Sequence, residues 1–174
     1  MLSTQPFHAA NDARRLSPPL QLDNAQPLLV RRAVVLDQLA ITQLVHNERL
    51  NPNGLGWANF VVAVVGNTVI GAVQMRQHAD GSRELGSLVV SREHRGRGIA
   101  GRLIAALLAC HIGAVHLITR HANAVHYHRW GFAVIDTCDA PRALRRNRLL
   151  GQMVSVLALL QGRRPRRLVI LRRG

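Results

Sequence analysis

Leu88-Val89-Val90-Ser91-Arg92-Glu93-His94-Arg95-Gly96-Arg97-Gly98-Ile99-Ala100 passes from an apolar strand, through a short polar turn and two glycines, into the start of an apolar helix. That succession makes an anion cradle. Gly96 and Gly98 allow a tight turn and let a ligand approach the backbone without interference from a Cβ. The first N–H groups of a helix beginning near Ile99 lack partners within the helix, and with the positive end of its dipole they favour a bound phosphate. Arg95 and Arg97 add positive charge at the same place. The loop is not a Walker A loop, because no Gly-Lys-Ser/Thr follows the glycines. It also lacks the three-glycine spacing and βαβ surroundings of a dinucleotide-binding fingerprint.

Upstream, Leu28–Ala33 reads as a first strand and Val35–Leu50 as a helix, with Val35, Leu39, Leu44 and Val45 as its apolar stripe and Asn51-Pro52-Asn53-Gly54 as its stop. Phe60–Val65 and Thr68–Met75 are strands joined by the two-residue turn Gly66-Asn67, a hairpin signature. Asp80-Gly81 turns the chain before a strand at Glu84–Val90, completing an antiparallel meander. Downstream, Ile99, Leu103, Leu107 and Cys110 recur at helical spacing, with Arg102 outside the stripe. A strand at Ala114–Thr119, a short helix at Asn123–Trp130, a strand at Phe132–Thr137, a basic helical stretch from Pro141 and a last strand at Leu168–Leu171 follow. The predicted class is α/β (α+β-like), a mixed, mainly antiparallel central sheet flanked by helices.

The 174 residues have the size of one domain. Residues 1–26, with Pro18, Pro19, Asn11 and Asn24, read as a flexible extension. Residues 27–138 form the core, and residues 139–174 add a basic helix and a last strand to the same domain. No apolar stretch is long enough to span a bilayer, so the chain reads as soluble. Cys110 and Cys138 have no metal or redox spacing, and a small buried apolar role suits Cys110. This usage fits a reducing cytoplasm. Arg14, Arg15 and Ser17 would also suit an organellar transit peptide, against which Asp12 and Asp23 count. Lys and Arg together number 23 against 9 acidic residues, which favours polyanionic partners, with a merely solvated arginine surface as the alternative.

Arg95-x-x-Gly98-x-Ala100 resembles the Gln/Arg-x-x-Gly-x-Gly/Ala signature of the GNAT N-acetyltransferase family, at the join of its fourth strand and third helix. Asn123-x-x-x-Tyr127-x-x-x-Gly131-Phe132, at the expected distance, resembles its second signature. The similarity covers roughly residues 28–137. Ser91-Arg92 stands where the family more often has His-Pro, and Ala100 where it more often has Gly; both changes should leave ligand binding intact. The resemblance implies the GNAT acyl-CoA acyltransferase fold, with acetyl-CoA as co-substrate. It implies that the segment Arg95, Gly96, Arg97, Gly98, Ile99 and Ala100 holds the CoA pyrophosphate. It further implies that the backbone of Leu88, Val89 and Val90 pairs with pantetheine like an added strand. Asn123 would cap its helix or contact the cofactor. Tyr127 stands where the family often places a tyrosine that protonates the departing thiolate; the plainer alternative is a packed ring with an idle hydroxyl. Glu84 opens the fourth strand, where several members carry a base acting directly or through water; its alternative is a solvated strand end. His46, Glu48 and His78 are lesser candidates. No metal is implied, and His121, His126 and His128 read as a polar helix face.

The resulting expectation is acetyl transfer to a primary amine of a small molecule, peptide or protein by direct attack in a ternary complex, without a protein nucleophile. One alternative is an acetyltransferase acting on an RNA-linked substrate. Another is a non-catalytic acyl-CoA- or RNA-binding module. The basic stretch Arg142–Arg167 carries Leu149, Leu150, Val154, Leu157 and Leu160. This apolar face is expected to pack on the domain or on a second subunit as a homodimer, in preference to a membrane surface. The acceptor groove is expected from the family's variable early segment, here roughly Val35–Trp57.

Overall fold

A computed structural model of the chain describes residues 20–21, 27–157 and 167–174. Its strands are β1 (Leu20–Gln21), β2 (Pro27–Arg32), β3 (Phe60–Val65), β4 (Thr68–Gln77), β5 (Arg83–Val90), β6 (Val115–Arg120), β7 (Ala133–Ile135) and β8 (Leu168–Arg173). The helices are α1 (Gln38–Asn47), α2 (Ile99–Ala109) and α3 (Arg142–Leu157), and a 3-10 helix spans His121–Trp130. Among the described residues no helix is long and apolar enough to cross a membrane. Apart from Leu20 and Gln21, the expected extension at residues 1–26 lies outside the described residues, as do Leu160, Arg163, Arg164 and Arg166.

The strands form one sheet in the order β1-β2-β3-β4-β5-β6-β8-β7. Neighbours are antiparallel except β5 and β6, which run parallel and pair at a single register point, Glu84 with His116. Beyond that point the two strands part, so among the described residues β5 from Gly86 to Val90 has no strand partner on that side. The β4–β5 ladder slips between Ala72 and Gln74, and Ser87 takes φ 48°. This is a bulge that bends β5 where it leaves β6.

Side-chain alternation assigns the two faces. Leu85 and Val90 of β5 and Val115 and Leu117 of β6 pack with Ile99, Leu103, Ile104 and Leu107 of α2. On the opposite face Ile41 and Val45 of α1 cover Phe60, Val62, Val64, Ala72 and Val89. Leu144 of α3 covers Ile118 and Ile170 on the same side as α1. Gly71 lets α2 sit close on the sheet: a Cβ there would meet the Val89 carbonyl at 3.1 Å and Leu103 at 3.2 Å.

Several boundaries differ from the sequence reading. Val35–Asp37 is a 3-10 turn, and α1 begins at Gln38. Its buried positions are Ile41 and Val45, whereas Val35 and Leu39 are exposed. The entry is set by buried Asp37, whose carboxylate accepts from Arg31 and from the Val34 N–H; those bonds hold its pKa low although burial acts to raise it. Cys110 is the half-buried C-cap of α2, not a member of its stripe. The segment Asn123–Trp130 is part of a 3-10 helix beginning at His121. At three residues per turn, Ala124, Tyr127 and Trp130 align against the core. The strand expected at Phe132–Thr137 shortens to Ala133–Ile135. α3 packs on its own domain through buried Leu144 and Ser155, while Leu149, Leu150 and Val154 of the expected apolar face stand exposed.

Candidate functional site

Where β5 leaves β6, a cleft of about 430 Å³ opens, lined by Leu88, Val89 and Val90, by Gly96 and Gly98 with the first turn of α2, and by Glu48, Arg120 and Arg129. Gly96 and Gly98 have φ of 77° and 74°, and nothing of the chain lies within 4 Å of where a Cβ would stand. The backbone conformation calls for glycine, and the space above it is open to a ligand. Gly98 is the N-cap of α2 and has no side-chain cap, so the first N–H groups of the helix face the cleft unsatisfied by a cap. Arg95 is anchored: its Nε donates to the Val90 carbonyl at 2.9 Å and its Nη2 lies 2.7 Å from Glu48 Oε1. Arg92 also reaches Glu48, at 3.2 Å. The bonds from Arg95 and Arg92 lower the pKa of Glu48, so this carboxylate is an ion-pair partner rather than a poised base.

Tyr127 lies on the α2 face of the sheet. Its ring meets Trp130 and Phe132 at centroid distances of 6.2 Å each, the second edge-on. Burial raises its pKa, and the nearby Thr119 of β6 only partly offsets that. It is therefore a protonated phenol at neutral pH. It does not line the cleft itself. Asn123 is exposed and likewise outside the cleft lining, and the N-cap of its helix is Arg120, so Asn123 is not the cap.

Glu84 is on the opposite face, and it is not a solvated strand end: it is only 5% exposed. His78 Nε2 lies 2.8 Å from its Oε2, Arg76 Nη1 lies 3.4 Å from its Oε1, and Asn147 of α3 donates to Oε2 at 3.5 Å. Arg76 crosses over Gly86, where a Cβ would stand 2.7 Å from its Nη1, and donates to Ser87 Oγ at 2.9 Å. Gln74, oriented by its neighbours, donates to the Gly54 carbonyl and accepts from Arg76 and Ser87. Burial lowers the pKa of Arg76 while Glu84 acts to raise it. His116, beside Glu84 across the β5–β6 pair, is buried with Nδ1 unpartnered.

The cradle expected at Arg95–Ala100 and the strand Leu88–Val90 thus share one cleft, with Tyr127 and Glu84 on opposite sheet faces at the split. Arg120 and Arg129 were not anticipated as cleft residues. Neither occupies a recognisable motif position, and only the path of the chain after β6 brings them to the cradle.

A GNAT acetyltransferase domain model matches residues 56–134, from the loop before β3 to β7. The chain is therefore similar to GNAT acetyltransferase domains over that segment. Both its cradle and the 3-10 helix with Tyr127 lie inside the matched segment. Solved structures with the same fold include N-acetylglutamate synthase from Neisseria gonorrhoeae complexed with coenzyme A and L-arginine. It is 16% identical with a TM-score of 0.63, covering 84% of this chain and 32% of that one. This chain therefore spans about a third of that synthase. Rv2747 from Mycobacterium tuberculosis, in complex with CoA and NLQ, is 20% identical with a TM-score of 0.61, over 83% and 97% of the two chains. Arabidopsis thaliana Naa50 with the bisubstrate analogue CoA-Ac-MVNAL is 15% identical with a TM-score of 0.55, over 84% and 98%. No curated protein matches the chain at a significant level.

Proposed function

We propose that this protein is an acetyl-CoA-dependent N-acetyltransferase that passes acetyl directly to a primary amine in a ternary complex. The observation that carries this reading is the meeting, in one cleft, of an unpaired strand edge at Leu88–Val90 and the open cradle at Gly96 and Gly98. An extended amide arm with a pyrophosphate head suits both at once. Backbone amides of Arg97, Gly98 and Ala100 would take the pyrophosphate, and the β5 edge would take the pantetheine amides as an added strand.

The split then lets the thioester stand between the two sheet faces, with Tyr127 on one side and Glu84 on the other. In this reading the ammonium of the acceptor loses a proton, through ordered water, to Glu84. The neutral nitrogen attacks the thioester carbon, and the C–N bond forms as the C–S bond breaks. The nitrogen releases its second proton to solvent water, Tyr127 protonates the departing sulfur, solvent reprotonates Tyr127, and Glu84 returns its proton to solvent. The acceptor would enter on the α1 and α3 face, where Gln38 bonds the Leu55 carbonyl and the Trp57 N–H and so fixes the loop after α1. The amino-acid and peptide ligands in the names of the structural neighbours support a small-molecule or peptide amine as acceptor.

Calorimetric titration with acetyl-CoA tests the cofactor part of this reading. Binding by the wild type that is abolished in Gly98→Glu is the expected result. A folded wild type that binds neither acetyl-CoA nor CoA would overturn it.

A further inference from the structure

Among the described residues, two arginines on the cleft wall have no carboxylate partner that accounts for their charge. Arg120 ends β6 and Arg129 lies near the end of the 3-10 helix; both are exposed and both line the cleft that contains Gly96 and Gly98. Arg95, on the same cleft, is neutralised by Glu48. Among the described residues, no carboxylate lies within 4.0 Å of Arg120 or Arg129.

Arg129 is nevertheless held in place. Its guanidinium carbon stands 4.0 Å from the centroid of the Trp130 ring, a stacking geometry that favours a planar cation. One terminal nitrogen is 3.7 Å from where a Cβ of Gly101 would stand, and the Trp130 ring is 3.4 Å from that point. These are ordinary van der Waals separations, so the stacked pair lies directly against the backbone of α2 at Gly101. Gly101 is the third residue of α2, about 4.5 Å along the helix axis from Gly98. A fixed guanidinium therefore stands beyond the backbone donors of the cradle but within one helical turn of them.

A single pyrophosphate is met by the cradle and leaves this second positive centre unused. Coenzyme A carries a second, separate anion, the phosphate monoester on its ribose 3′ position. We propose that Arg129, assisted by Arg120, binds the 3′-phosphate of CoA and makes the protein selective for CoA thioesters over their 3′-dephospho counterparts. A guanidinium presents paired N–H donors that match a phosphate monoester, and the stack on Trp130 removes much of the freedom that binding would otherwise cost. The proposal rests on the acetyl-CoA reading above and assigns the ligand group that Arg129 recognises.

The test is calorimetric titration of the full chain with CoA and with 3′-dephospho-CoA, for the wild type, Arg129→Gln and Arg120→Gln. Both arginines are exposed, so the folded state of each variant is readily verified by circular dichroism. The wild type is expected to prefer CoA by roughly ten- to a hundredfold, the range of charge-assisted hydrogen bonds. Arg129→Gln removes that preference by weakening CoA alone and leaving 3′-dephospho-CoA unchanged; Arg120→Gln reduces it in part. A wild type that binds both ligands equally overturns the proposal. So does an Arg129→Gln variant that weakens both equally, since that result assigns Arg129 to the pyrophosphate. Failure of the wild type to bind either ligand overturns the acetyl-CoA reading itself, and is distinct from the other two results.

Discussion

Burial is the larger influence on the pKa of Tyr127, and the nearby Thr119 acts in the opposite sense. The raised pKa means that the phenol keeps its proton throughout the neutral range and loses it only above the ordinary value of 10.0. A donor to a departing thiolate needs that state. Tyr127→Phe preserves the ring contacts with Trp130 and Phe132 but removes the proton. The expected outcome is a fall in kcat of about a hundredfold or more, within the range for general acid catalysis. Acetyl-CoA affinity should change little, because the side chain does not line the cleft. Steady-state kinetics beside calorimetry separates the two effects, and an unchanged kcat would leave the hydroxyl as a packing group. Glu84 shows the limit of reading residues singly. Its place at the start of a strand pointed to a solvated carboxylate or a base. Its burial beneath Asn147 and its contacts with His78 and Arg76 follow from pairing between distant segments.

α3 is fastened to the sheet partly through the turn between β4 and β5. Asp80 Oδ2 accepts from the Ala143 N–H at 2.9 Å, in the first turn of α3, and Oδ1 accepts from the hydroxyl and N–H of Ser82. The Ser82 hydroxyl, then the Ala143 N–H, bring the pKa of Asp80 down from 3.8 to about 2. A folded-state pKa below the unfolded value means that this contribution is complete above pH 3.8. It is then lost as pH falls through about 2. Asp80→Asn should therefore loosen the start of α3 at neutral pH. Hydrogen exchange should report faster amides at residues 143–146, with β3 and β4 unchanged; equal protection in both proteins would mean that the cap is redundant. The 3-10 helix illustrates a second point at this scale. A helix near Tyr127 was legible, but its three-residue turn was decided by the alignment of Ala124, Tyr127 and Trp130 against the core.

The whole molecule depends on α2 lying tightly across the sheet that carries the cleft. Leu103 is fully buried, and its Cδ1 would stand 3.2 Å from a Cβ on Gly71. Leu103→Ala should cost about 2–5 kcal/mol, the range for a buried leucine that leaves a cavity. A lower urea midpoint at unchanged m-value would report it. Because α2 also carries the cradle at its N-terminus, acetyl-CoA binding should restore part of the lost midpoint through preferential binding to the folded state. No ligand-dependent shift would separate the core from the site.

Local properties were readable from the chain alone. Paired glycines ahead of an apolar helix make an anion cradle because φ preference and unsatisfied helix donors reside in a few consecutive residues. The β-branched run Phe60–Val65 and the turn Gly66-Asn67 set the hairpin for the same reason. Tertiary structure alone decided where β5 and β6 part, since the bulge at Ser87 and the single register point at Glu84 depend on segments that meet only in the folded sheet. It also decided which apolar residues of α1 and α3 are covered. Only folding brings the stacked pair Arg129 and Trp130 beside Gly101, because a position set by packing between α2 and the 3-10 helix has no signature in any one stretch of sequence.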